Sequence, residues 1–166
     1  MSHPIPVRAE PSVITEIKRL GFKFYEEAQY DLSRVSVDRR VQVREAKHYA
    51  PKDSVARYAI QMAQSKFPPI VMTSDDWIVD GNTRVGAALT REMKFFPAIV
   101  LDIAWGTAST KQQNELHALA ATLNAQNGVP LTAGEIREVT PKFIALGWKA
   151  EQIGRASCRE RVSFLV

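Results

Sequence analysis

Cysteine is nearly absent from this 166-residue chain: Cys158 stands alone, so it can neither close an internal disulfide nor build a thiolate metal cluster. Long apolar runs are absent as well. The longest, Phe95 to Leu101, is far short of the roughly 20 residues a membrane helix needs and has the length of a buried strand. The opening Met1-Ser2-His3-Pro4-Ile5-Pro6 has no basic stretch followed by an apolar one, so nothing marks secretion and a cytoplasmic location is expected. The three histidines, His3, His48 and His117, share no metal-ligand spacing, and there is neither a Gly-x-Ser-x-Gly elbow nor a Walker loop. What is present is ordinary for a folded protein: 45% hydrophobic residues exclude a disordered chain, and 22 Lys plus Arg against 18 Asp plus Glu leave a formal charge of +4.

The location of that charge matters more than its sum. Residues 153–166 break the pattern of what precedes them, and Ile153 to Val162 is similar to the translation of a common sequencing adapter. The segment reads as a non-native tail. It carries Arg155, Arg159 and Arg161 against Glu160, so without it the net charge falls from +4 to +2. From Thr107 to Gln152, Lys111, Arg137, Lys142 and Lys149 are matched by Glu115, Glu135, Glu138 and Glu151, which leaves no electrostatic footprint for DNA in that stretch.

Periodicity divides the rest. Residues 1–20, with three prolines in the first twelve, are expected to form a flexible arm. Period-two alternation at Phe22/Phe24, Val35/Val37 and Val41/Val43 predicts two or three short strands. A helix capped at Asp53 or Ser54 should run to Gln64 before Phe67-Pro68-Pro69. Ile70–Thr73 and Trp77–Asp80 flank a polar loop and predict a hairpin, followed by a helix over Asn82–Arg91 and a strand over Phe96–Asp102. These elements make a small α+β domain over 21–105, and Trp77, Trp105 and Trp148 read as core or hinge anchors.

After Gly106 the pattern is helical through 106–152. Thr110–Gln126 carries the stripe Leu116, Leu119, Ala120 and Leu123. Thr132-Ala133-Gly134-Glu135 is a capping box opening a second helix, which Pro141 would kink or divide. A third helix begins near Gly147–Ile153.

Chemistry concentrates in Val79-Asp80-Gly81-Asn82-Thr83-Arg84-Val85-Gly86-Ala87-Ala88. A strand enters a glycine and a helix starts at once, so backbone N–H groups converge at the positive end of the helix dipole. Arg84 in the first turn can offer a planar fork to phosphate or carboxylate oxygens. The alternative reading keeps the corner structural: Asn82 or Thr83 caps the helix, Arg84 pairs with an acid such as Asp80, and Gly86 permits close packing.

Together with Val41-Gln42-Val43-Arg44, the following helix and Pro68-Pro69-Ile70-Val71, this motif resembles the ParB-like N-terminal domain family over about Tyr30 to Asp102. That family includes partition proteins and shares its core fold with sulfiredoxin and a free-serine kinase. The resemblance implies a small mixed sheet with helices, followed by an all-α appendix leading into a truncated helix-turn-helix. The family motif binds nucleotide phosphates and typically places a Glu and two Arg after the glycine. This chain keeps Gly81, Arg84 and Ala87 but has Asn82, Thr83 and Gly86, with fewer phosphate donors.

By resemblance, Gly81, Asn82, Thr83, Arg84, Ala87 and Arg44 would hold CTP or another nucleotide with Mg2+, and a nucleotide triphosphatase activity stays open. Sulfiredoxin chemistry is excluded, because Asn82 stands where that enzyme has its nucleophilic cysteine. Asp80-Gly81-Asn82-Thr83-Arg84 is close to the serine-kinase motif, for which Glu45 is the nearest candidate base, although a surface charge is its plainer reading. Asn124 to Thr132 and Leu146 to Ile153 are similar to the approach to a ParB-type helix-turn-helix. The expected function is therefore a DNA-partition or transcription-regulator protein, of plasmid, phage or chromosome. The parent protein would bind DNA and a nucleotide, and a homodimer is possible. The alternatives are a small-molecule phosphotransferase or a vestigial interaction domain.

Overall fold

The apolar run Phe95–Leu101 forms a central strand, and its neighbours explain why it has so few polar residues. In chain order the elements are α1 (Ala9–Arg19), β1 (Phe24–Asp31), α2 (Lys52–Met62), β2 (Ile70–Met72), β3 (Ile78–Asp80), α3 (Asn82–Thr90), β4 (Phe95–Leu101), α4 (Thr110–Asn127), α5 (Ala133–Ala145) and α6 (Ala150–Ser157). This is a computed structural model, and it describes residues 9–38, 40–44, 49–127 and 131–157. The four strands are ordered β1-β4-β2-β3, with β4 antiparallel to β1 and parallel to β2, and β3 antiparallel to β2. A mixed sheet with helices is the α+β class the sequence predicts.

Both faces of the sheet are covered, and the side-chain period of two sorts residues between them. Ile70, Met72, Ile78, Phe96, Ala98 and Val100 pack with Val85 and Ala88 of α3. Val71, Val79, Ile99 and Leu101 point the other way, into a core shared with Val13 and Ile17 of α1, Leu116, Leu119 and Leu123 of α4, and Val139 and Phe143 of α5. The helical region thus shares one core with the sheet. Pro97, which has no N–H to give the ladder, lies where the β1 register skips from Glu27 opposite Ala98 to Tyr30 opposite Phe96.

Several local expectations need correction. Residues 9–19 are helical, not part of a flexible arm, because Val13 and Ile17, four apart, reach the core. Val41 and Val43 are buried but form no strand. Asp38 Oδ1 accepts from the backbone N–H of Arg40 at 2.7 Å, and the N–H of Val41 bonds back to Asp38 O at 3.0 Å, so the segment turns. The Val35/Val37 alternation leaves only a bridge from Ser36 to Trp77. Pro141 lies inside α5 without dividing it. Residues 153–157 extend α6, where Ala156 packs into the core, so part of the segment read as a tail is folded with the rest. The remainder of that tail, including Cys158, lies outside the described residues.

Candidate functional site

The corner between β3 and α3 depends on Gly81. Its φ of +117° lies in the left-handed region, and a Cβ there would sit 2.6 Å from Cγ2 of the fully buried Ile70. Gly81 is itself the N-cap of α3, with no side-chain cap hydrogen bond, so neither Asn82 nor Thr83 caps the helix. The first N–H groups of α3, on Asn82, Thr83 and Arg84, have no acceptor within the helix. Asn82 and Thr83 are half-buried, and Ala87 is fully buried one turn further on. Gly86 meets α2: a Cβ there would come within 3.1 Å of Val55 Cγ2.

Arg84 is turned inward, with only 6% of its surface exposed. Nη2 donates to Asp80 Oδ2 at 2.5 Å, and Nη1 donates to the carbonyls of Pro68 at 2.9 Å and Pro69 at 2.7 Å. The guanidinium therefore ties the end of β3 and the start of β2 to the first turn of α3, as the structural alternative anticipated for Asp80. A buried pair of this kind adds little net stability but fixes geometry, because losing one partner strands the other charge.

Arg44 is also buried, and it faces the helices. Nε donates to Asn124 Oδ1 of α4 at 3.2 Å, and Nη1 lies 3.9 Å from Glu135 Oε2 of α5. Burial lowers its pKa from the ordinary guanidinium value, opposed by the charges of Glu135 and Asp80. Between the two arginines, Asn82 Nδ2 donates to Gln42 Oε1 at 2.9 Å, and Gln42 Nε2 donates to Ile78 O. Gln42 and Arg44 thus join the start of α3 to α4 and α5. Glu135 also accepts from the backbone N–H of Thr132 at 2.8 Å, completing the predicted capping box.

The structure brings Gly81, Asn82, Thr83, Arg84 and Ala87 together and sets Arg44 beside them through Gln42. Glu45 lies outside the described residues. Gln42, Asn124, Glu135 and the two proline carbonyls were missed in the sequence. The usable signal was Pro68-Pro69, two residues that accept hydrogen bonds through their carbonyls but donate none. Chemically, the corner offers an anion the backbone amides of α3 and the amide and hydroxyl of Asn82 and Thr83. Among the described residues, no three His, Cys, Asp or Glu side chains are grouped as metal ligands.

This fold is that of the ParB N-domain. The chain superimposes on a pNOB8-like ParB N-domain with a TM-score of 0.57 at 14% identity, covering 76% of this chain and 45% of that one. A second structure, of one crystal form of the Pnob8-like ParB-N domain, gives a TM-score of 0.56 at 15% identity, covering 76% of this chain and 48% of that one. The chain spans about half the length of the structures it matches. No family model and no curated protein matches it.

Proposed function

We propose that this chain belongs to a ParB-like partition or transcription-regulator protein whose α3 N-terminus receives a nucleotide phosphate, CTP or another nucleotide with Mg2+. One observation carries the reading: a strand–glycine–helix corner whose helix is capped by Gly81 alone, with no side chain spent on its first N–H groups. The backbone amides of Asn82, Thr83 and Arg84 would hold the phosphate, and the Asn82 and Thr83 side chains would add hydrogen bonds. Arg84 and Arg44 act as braces behind the site, since their guanidiniums already bond Asp80, the proline carbonyls and Asn124. In the parent protein DNA would be contacted by the helix-turn-helix that α5 and α6 approach, and a second copy of the chain would be a further partner.

Calorimetry with CTP, ATP and ADP in the presence of Mg2+ tests the phosphate site. Saturable binding that weakens in Thr83→Val and Asn82→Ala supports it, and the absence of heat with all three nucleotides refutes it. The commitment of both guanidiniums to internal partners favours a second reading, a domain that retains the fold for protein contacts alone. Absence of heat from a folded chain supports that reading.

A further inference from the structure

His117 of α4 is buried, with 5% of its surface exposed. Its Nε2 lies 2.6 Å from the carbonyl oxygen of Arg40, and its Nδ1 lies 2.9 Å from Nζ of Lys142 on α5. A carbonyl can only accept, so Nε2 carries the hydrogen. In the neutral ring Nδ1 then holds a lone pair, and the Lys142 ammonium donates to it. One imidazole therefore pins α4 to both α5 and the turn at 38–44.

We propose that His117 is a pH-sensitive pin, holding α5 against the 38–44 segment while its ring is neutral and releasing it when the ring takes up a proton. The added proton would sit on Nδ1 and face the ammonium of Lys142, replacing a hydrogen bond with two like charges at the same distance. Beside this contact is a cavity of about 210 Å3, lined by Arg40, Gln42 and Val43 from the segment and by Glu138, Val139 and Lys142 from α5. The cavity gives the Lys142 side chain room to move off the ring. Separation along this seam would reach Arg44 and Glu135, which join the same two elements.

The charged surroundings are mixed. Glu138 and Lys142 come from α5, and Arg40, itself paired with Asp38, comes from the segment. The Trp105 ring, centred 5.4 Å from that of His117, adds no charge. Of the other helices on α4, α1 bears the Glu16–Arg19 pair and α6 bears Glu151. The neutral ring holds the contact, so the contact is complete above the ordinary imidazole range near ~6.5 and is lost as pH falls below it.

Amide hydrogen exchange of the full chain at pH 7.5 and 5.5, corrected for intrinsic rates, tests the pin. Protection of α5 and of residues 38–44 should fall at the lower pH, by up to about tenfold, the limit set by a released imidazole that titrates near ~6.5. In His117→Gln, which does not titrate, it should stay constant. Unchanged wild-type protection, or an equal loss in His117→Gln, overturns the proposal. Should His117→Gln not fold, nitrogen NMR of the wild-type ring gives an independent reading. The Nε2–H tautomer above neutrality and an upward shift of the ring's midpoint in Lys142→Met are expected. The Nδ1–H tautomer or an unmoved midpoint would overturn it.

Discussion

Replacing Gly81 by alanine tests how the corner is built, and its cost follows from two separate terms. The backbone term comes from holding an L-residue at φ +117°, outside the regions such residues normally occupy, and costs about 1–2 kcal/mol. The steric term comes from a Cβ 2.6 Å from Ile70 Cγ2. Ile70 is β-branched and fully buried in the sheet, so it cannot swing aside, and overpacking of this kind costs about 1–3 kcal/mol. The sum is about 2–5 kcal/mol. Gly147 is the matched control: its φ is +77° and nothing lies within 4 Å of an added Cβ, so Gly147→Ala should show only the backbone term. Urea unfolding followed by tryptophan fluorescence measures both variants. Gly81→Ala should lower the midpoint with an unchanged slope and exceed Gly147→Ala by at least about 1 kcal/mol. Equal losses in the two variants would refute the close approach of Gly81 to Ile70.

Other consequences follow from the same contacts. Asp80→Ala strands the buried Arg84 guanidinium and should cost about 3–5 kcal/mol in chemical denaturation, whereas exposed Glu26→Ala should change little. Thr132→Ala removes the hydroxyl that accepts from the Glu135 N–H and should cost about 1 kcal/mol, read in the same assay. Tyr30 is fully buried and donates to Asp76 Oδ1 at 2.5 Å; burial first, then that hydrogen bond, raises its phenol above the ordinary value. With the folded value above the unfolded one near ~10, this contribution is complete below that pH and is lost as pH climbs above it. Ultraviolet titration should therefore show the Tyr30 phenol ionising only with unfolding, and Tyr30→Phe should remove that part of the absorbance change.

Much of this architecture is legible from periodicity. The apolar run at 95–101, the hairpin around Ser74–Asp76 and the Thr132–Glu135 capping box each depend on residues within a few positions of one another, and each appears where expected. The failures came where distant partners decide. Val41 and Val43 alternate like a strand, but Asp38 closes a turn and Gln42 bonds the carbonyl of Ile78. Helix α1 is held by a core contributed mainly by α4 and α5, so its proline-containing sequence reads as loose in isolation.

The site divides in the same way. The glycine-helix corner is a local feature and was readable. The inward turn of Arg84 depends on carbonyls at positions 68 and 69, and the burial of Arg44 depends on Asn124 and Glu135, both contributed by elements far along the chain.

The most direct measurement is a titration of the uniformly 15N-labelled chain with CTP and Mg2+, following each backbone amide by NMR. The amides of Asn82, Thr83 and Arg84 should shift together along one saturating curve, with smaller changes passing through Gln42 to Arg44. Unmoved resonances for those three amides at saturating nucleotide, in a chain whose spectrum remains folded, would contradict it.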